Sequence, residues 1–357
     1  MEVYIGECGS YSDCGDVIEQ AFTNLGGIDR FVQPGETILV KPNLLKGAGP
    51  EKAVTTHPDF IIAVVRILEK EGAHVIVGDS PGGTLSERSL RRHYEKAGWK
   101  RVEEETGARL NYDITEKRVS HPGGRILKSI PVLSVVDQVD GVVNLPKLKT
   151  HSLTVFTGAV KNLYGVVPGL TKSAFHGQYR GIERFSKVLL DIQEVVNTRI
   201  SIMDGIVGMQ GAGPGNGDPV KLNMVLASQS EICLDISACL SVGIPPTKVT
   251  TIKEFEDVPE ITYPNLTPKY FDYKIDYPEG GSTPWWAPES LGGVLANLYM
   301  KRPNLDELSC DHCGKCDEIC PQDAIKLTKN GPRISWWRCM RCYCCAEVCP
   351  NDALNVE

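Results

Sequence analysis

Eight of the 13 cysteines in this 357-residue chain stand in two runs of one spacing. CDHCGKCDEICP begins at Cys310 and CMRCYCCAEVCP at Cys339, so C-x2-C-x2-C-x3-C-P recurs at an offset of 29 residues. Three cysteines three residues apart let one short loop give three thiolates to an iron–sulfur cluster. The fourth, before proline, points toward the partner run and ligates the other cluster. The spacing therefore predicts Cys310, Cys313, Cys316 and Cys349 on one [4Fe-4S] cluster, and Cys339, Cys342, Cys345 and Cys320 on a second. Structural zinc usually takes two separated C-x2-C pairs. A disulfide framework needs a secreted chain, and MEVYIGECGSYSD does not read as a signal peptide. Cys344 falls between two ligands; it reads as a buried thiol beside a cluster, with replacement of Cys345 as a strained alternative. This segment carries single electrons.

A second set of reactive residue types follows four apolar runs. Lys41 and Asn43 follow TILV; Asp79 and Ser80, with two glycines, follow HVIV. Asn144, Lys147, Lys149 and His151 follow GVV, and Asp204 follows RISIM. In NLPKLKTHSLTVFTGAVKNLYGVVPGLTKSAFH (144–176), a helix over 152–163 would align Thr154, Thr157, Gly158 and Lys161 on one face. Lys172 and His176 would lie in the loop beyond, either folding over a ligand or forming plain surface. The predicted ligand-binding set is Lys41, Asn43, Asp79, Ser80, Asn144, Lys147, Lys149, Thr157, Lys161 and Lys172. His151, His176 and Lys161 are the candidates for proton transfer. So many cations in an acidic protein call for a phosphate or carboxylate.

These residues need a scaffold that gathers strand ends. Runs at 37–43, 73–80, 140–147 and 199–205 are apolar enough to be buried on both faces. They alternate with helical patterns at 57–72, 85–98 and 181–197. The expected fold class is α/β: a mostly parallel sheet with helices on both faces, plus a small two-cluster unit. Ligands of such sheets bind beyond the carboxyl ends of the strands. Thr56 and Thr84 are expected to cap helices whose free N–H groups face that crevice. GIVGMQGAGPGNG (205–217) leads into a strand-like run and lacks a P-loop lysine, which excludes a nucleotide fingerprint. The expected organisation is an α/β ligand domain over 1–257 and a proline- and aromatic-rich connector over 258–302. Residues 303–357 form the cluster domain. The connector holds Trp285, Trp286 and a short helix at 291–301.

Composition sets the outer limits. At 41% hydrophobic, 23% charged and a net charge of −7, the chain reads as globular, with no call for nucleic acid. No apolar run approaches the length of a membrane span. The clusters imply a reducing compartment, hence a cytoplasmic location. Cys233 and Cys239 read as core; Cys8 and Cys14 match no metal spacing.

KPNLL, TTHP, GDSPGG, NLPKLKTH, TGAVKNLYGVVPG, DGIVGMQGAGP and the twin cysteine runs together resemble the family called domain of unknown function 362. Many of its members end in a two-cluster ferredoxin module. The resemblance implies an iron–sulfur protein with an α/β ligand domain and leaves the reaction open. Two function classes follow. In one, the clusters serve an oxidoreductase whose crevice holds a small anionic substrate or a flavin such as flavin mononucleotide, which converts one-electron to two-electron chemistry. In the other, the large domain is a non-catalytic docking or assembly module for an electron carrier. Either class needs a redox partner protein; a homodimer fits both. Trp336, Trp337, Arg338 and Arg341 either shield a cluster against the large domain or form a docking patch, shielding being the simpler expectation.

Overall fold

The computed structural model describes residues 1–280 and 300–356. Trp285, Trp286 and most of the 291–301 helix expectation lie outside them. One nine-stranded sheet organises the larger part. It contains β1 (Val3–Glu7), β2 (Thr37–Pro42), β3 (His74–Val77) and β4 (Arg109–Leu110). After a separate hairpin, β5 (Glu116–Ser120) with β6 (Ser129–Leu133), the sheet continues with β7 (Gly141–Leu145), β8 (Lys147–His151) and β9 (Val155–Thr157). β10 (Thr198–Gln210) and β11 (Asp218–Ser228) complete it. The order is β1-β11-β10-β7-β2-β3-β4, with β8 on β10 and β9 on β8. The pairs from β10 through β4 are parallel, while β1, β11 and β9 join antiparallel.

The apolar runs explain the layering. In β2, Ile38 and Val40 enter the core under the helices Cys14–Asn24 and Pro58–Lys70, whereas Leu39 enters the core under Ile182–Val195. Val143 and Val142 divide in the same way. Strands covered on both faces need apolar residues at every position, which is why no alternation shows in their sequence. Pro58 opens its helix, and Phe60, Ile61, Val64, Val65 and Leu68 form its buried stripe.

Four local expectations are corrected. Residues 152–163 are not one helix: β8 and β9 form a hairpin in which Lys149 pairs with Thr157, and only Ala159–Asn162 is helical. The branched residues Thr150 and Thr157 favour the strand pairing, while Val155 holds a left-handed φ of 67°. Asp235 then fixes where the helical turn starts, by accepting the N–H groups of Ala159 at 2.6 Å and Val160 at 3.2 Å. Gly158 is required there, because a Cβ would stand 2.0 Å from Asp235 Oδ1. Residues 169–178 form a helix, not a loop; burial of Ser173, Phe175 and His176 outweighs its glycines. The capping residues differ by one or two positions from Thr56 and Thr84. His57 Nδ1 accepts from Asp59 N, and Ser86 and Ser89 form a reciprocal capping box. Thr56 instead ties the strands together, accepting from Asn43 N at 2.9 Å and donating to Leu145 O at 2.7 Å.

Asp191 holds the loop before β6. Its fully buried carboxylate accepts from the N–H groups of Arg125 (2.6 Å), Ile126 and Leu127 (2.7 Å each). Asp191→Ala leaves one buried and two partly buried donors unpaired and is expected to cost about 2–4 kcal/mol in urea unfolding under argon. A cost below about 1 kcal/mol would show the loop to be held by its apolar contacts alone.

Residues 300–356 build a small unit of two-stranded sheets, β12 (Pro303–Leu305) with β15 (Leu354–Val356) and β13 (Ile325–Thr328) with β14 (Gly331–Ile334). Its 29-residue repeat extends to the backbone. Left-handed φ angles occur at His312 and Arg341, at Gly314 and Tyr343, and at Asp323 and Asp352. Each cysteine before proline accepts an N–H four residues on, Ala324 to Cys320 Sγ at 3.2 Å and Ala353 to Cys349 Sγ at 3.3 Å.

Candidate functional site

The strand ends do converge, but two of their cations are spent on structure. Lys41 Nζ lies 2.8 Å from Asp79 Oδ1, and Lys147 Nζ lies 2.7 Å from Asp204 Oδ2, with all four side chains buried. Asp79 also accepts from Leu44 N at 2.7 Å, and Gly165 lies so close that a Cβ would meet Asp79 Oδ1 at 1.9 Å. Asn144 belongs to an amide chain beneath the surface. Asn162 Nδ2 donates to Asn144 Oδ1 at 2.7 Å, and Asn43 Nδ2 donates to Asn162 Oδ1 at 2.9 Å. Lys149 Nζ donates to Asn43 Oδ1 and to Val54 O, both at 2.8 Å. Such a fully satisfied network fixes side chains over several strands at once.

Above this network lies a cavity of about 660 Å³, counted with its opening to solvent. Of the sequence candidates, Asn43, Asp79, Ser80, Lys149, Thr157, Lys161, Lys172 and His176 line it. Lys41, Asn144, Lys147 and His151 do not. The other wall belongs to the cluster unit: Ile319, Cys344, Glu347 and Val348. The sequence reading missed these four, along with Asn162, Tyr164 and Ser173. Cys344 was read as a buried thiol beside a cluster but not as part of a cavity wall, and Glu347 was hidden inside the cysteine motif. Asn162 adjoins Lys161 and could have been found from that neighbour.

The wall carries unused polarity. Among the described residues, Lys161 Nζ makes no hydrogen bond or ion pair, and Thr157 Oγ1, 3% exposed as a residue, has no partner. Burial lowers the pKa of Lys161, opposed by the Glu347 carboxylate, and drives Lys149 well below the ordinary lysine range. Lys172 donates to Ser80 O, and burial, opposed by Asp79, brings its pKa down to about 7. Burial lowers His151 to about 4 and His176 to about 3, so both imidazoles are neutral at pH 7. His176 stacks on Phe185 with centroids 4.0 Å apart. His151 Nδ1 accepts from Leu153 N at 3.0 Å, and its Nε2 sits 3.2 Å from Glu347 Oε1, out of line for a hydrogen bond.

The cysteines gather in two hollows. One is lined by Cys310, Cys313, Cys316 and Cys349; the other by Cys320, Cys339, Cys342, Cys344 and Cys345. Polar contacts seat this unit on the larger part. Lys46 donates to Cys349 O at 2.9 Å and pairs with Asp352, which Lys52 also meets at 3.2 Å. Asn216 Nδ2 donates to Leu354 O at 3.0 Å, and Arg180 bonds Gln322. The expected shielding by the tryptophan pair is corrected for one of them: Trp337 is 93% exposed. Trp336 is half-buried between the guanidiniums of Arg302 and Arg341, each 5.6 Å from its ring centre.

Comparisons with known proteins agree with this layout. A family described as "Domain of unknown function (DUF362)" matches residues 38–240, and a "4Fe-4S dicluster domain" matches residues 309–353. A thylakoid-associated protein of Synechocystis sp. is 31% identical over 258 residues, 69% of this chain and 77% of that protein. The lactate racemase apoprotein of Thermoanaerobacterium thermosaccharolyticum aligns with TM-score 0.42 and 13% identity, covering 67% of this chain and 56% of that one. The chain spans little more than half of that racemase's length. No helix of the described residues is long and apolar enough to cross a membrane. With the family match spanning most of the sheet and the dicluster match spanning both cysteine runs, the chain belongs to the DUF362 family and carries an iron–sulfur dicluster domain.

Proposed function

We propose that this protein is an oxidoreductase in which two [4Fe-4S] clusters exchange electrons with a small anion held between the sheet and the dicluster unit. One observation carries the reading. The cavity has lysines on one wall and Ile319, Cys344, Glu347 and Val348 of the dicluster unit on the other, so a bound anion and a cluster would share a boundary. Cys310, Cys313, Cys316 and Cys349 would hold the first cluster. Cys339, Cys342, Cys345 and Cys320 would hold the second, matching the crossed pattern of two-cluster proteins. Each cluster supplies one electron at a time when bound. Lys161 and Thr157 would bind the anion, and Lys149, held by Asn43 and Val54 O, would present its amine from below. Lys172, with its pKa about 7, would be the group able to hold or release a proton at neutral pH. The neutral imidazoles of His151 and His176 would orient neighbouring groups.

The anion is a carboxylate or a phosphate, the latter free or as the phosphate of a flavin mononucleotide. Purification without oxygen, acid release and mass spectrometry, with an iron and sulfide count, separates these. About eight irons with a stoichiometric flavin supports a flavin-gated enzyme, and the same iron with a small acid supports direct reduction. Eight irons with no anion bound, and none taken up on dialysis against phosphate or carboxylates, would sink the reading. A reducing, cytoplasmic compartment suits such clusters.

Lys172 makes the reading pH-dependent. Its pKa in the free site lies below its ordinary value, so above pH 7 it must gain a proton to meet an anion. Anion affinity is therefore expected to fall as pH rises through 7, by at most about tenfold per unit, until the complex's own pKa is reached. Calorimetry from pH 6 to 9 would show this slope, and Lys172→Gln should flatten it; a slope that survives the substitution would exclude Lys172.

A second reading is favoured by the exposure of Trp337 next to Cys339 and of Leu308, 99% exposed, next to Cys310. Apolar side chains so placed beside both cysteine runs suit a redox partner protein, and an electron carrier with a non-catalytic large domain would need them too. Loss of electron transfer in Trp337→Ala with anion turnover absent in the wild type would favour it.

A further inference from the structure

Cys344 is the one cysteine outside the eight-ligand pattern that the second hollow includes. It begins the one-turn helix Cys344–Glu347, directly after Tyr343, whose backbone is left-handed at φ 63°. Its equivalent 29 residues earlier is Lys315, which opens the matching helix Lys315–Glu318. The first unit thus has a lysine where the second has a thiol. That thiol is buried, 6% exposed, and lines the second hollow beside Cys342 and Cys345. Among the described residues, Cys344 alone lines both the second hollow and the lysine-walled cavity. Thr157 lines the same cavity, its Oγ1 buried and without a partner among the described residues, so the space beyond the thiol is built to receive a polar group.

We infer that Cys344 is the contact through which the second cluster and the cavity anion act on each other, its side chain forming the shared wall. This rests on the anion reading of the cavity. Here Cys344 is a positioning residue and ligates no iron. An anion drawn to Lys161 and Thr157 presses on the thiol, and the thiol alters the surroundings of the Cys342 sulfur. Hydrogen bonds and packing around cluster sulfurs set the cluster's electronic properties, so the effect is readable in the spectrum of the reduced protein.

The test uses the full chain, prepared anaerobically and reduced with dithionite, with inorganic phosphate as the probe. Electron paramagnetic resonance is recorded with and without phosphate, and bound phosphate is measured by equilibrium dialysis. In the wild type, saturating phosphate is expected to shift one of the two cluster signals and leave the other unchanged. In Cys344→Ala, with about eight irons retained and phosphate again saturating, that shift is expected to vanish. Persistence of the shift in Cys344→Ala overturns the inference. Phosphate binding to the wild type with no shift also overturns it while leaving the anion site intact. Failure of phosphate or small carboxylates to bind the wild type overturns the anion reading, and this inference with it. Cys344→Ser guards against a packing defect in the alanine variant. If both variants lose iron, Cys344 is a ligand and the inference is wrong.

Discussion

Replacing Lys161 with methionine is expected to weaken phosphate binding by roughly 30- to 1000-fold, equivalent to about 2–4 kcal/mol. The size follows from the ammonium's surroundings. Lys161 makes no hydrogen bond or ion pair among the described residues, and burial disfavours its charge more than the Glu347 carboxylate supports it. An anion that meets it therefore gains a charge-assisted bond and meets an amine whose water has largely been removed. The effect on the fold has two opposing parts. Losing the buried ammonium removes a desolvation cost, while Glu347 loses a nearby positive charge that helps hold its carboxyl low, so the net change in stability should stay within about 1 kcal/mol. Isothermal titration with phosphate and thermal unfolding without it, on one preparation, check both. Weaker binding with a stability loss above about 2 kcal/mol would mean that Lys161 supports the helical turn and that the binding loss is indirect. An unchanged affinity would remove Lys161 from the site.

The second large effect concerns the cysteine assignment. Cys349→Ala is expected to take iron from about eight per chain toward about four, and the signal lost should be that of the other run's cluster. Cys349 lines the hollow of Cys310, Cys313 and Cys316, although it lies in sequence beside Cys345. The paramagnetic spectrum of Cys349→Ala should therefore match that of Cys316→Ala and differ from that of Cys345→Ala. A match to Cys345→Ala would mean that each run holds its own cluster, and the crossed ligand sets would have to be abandoned.

How much of this was legible in the sequence varies with the physics involved. The parallel core could be read because strands covered on both faces must be apolar at every position, as in TILV and GVV. Gathering of strand-end residues followed from that topology. The fate of individual lysines was not legible. Lys41 and Lys147 look like Lys149 and Lys161 in a sequence, but buried carboxylates at Asp79 and Asp204, far along the chain, neutralise the first two. Only tertiary pairing separates a structural cation from an available one. The misread 152–163 segment has a similar origin. Its spacing suits a helical face, yet the pairing of Lys149 with Thr157 and the N–H groups captured by Asp235 decide otherwise. The role of Glu347 and Cys344 in the cavity wall depends on how the dicluster unit sits, which no local pattern encodes.

That seat is made of charges and amides, and this has a consequence for ionic strength. Lys46 and Lys52 on Asp352, with Arg180 on Gln322, hold the roof of the cavity over its lysines. The solvent-facing Lys52–Asp352 pair weakens most as salt shortens the reach of its field to about 8 Å at physiological strength and about 3 Å at 1 M, and the buried Lys46–Asp352 pair less. The same salt supplies anions that compete for Lys161. Ionic strength therefore acts twice in one direction, loosening the roof and crowding the floor. Phosphate affinity measured in a chloride buffer would fall more steeply than either effect alone would give, and replacing chloride by a bulky anion excluded from the cavity would leave only the loosening of the roof.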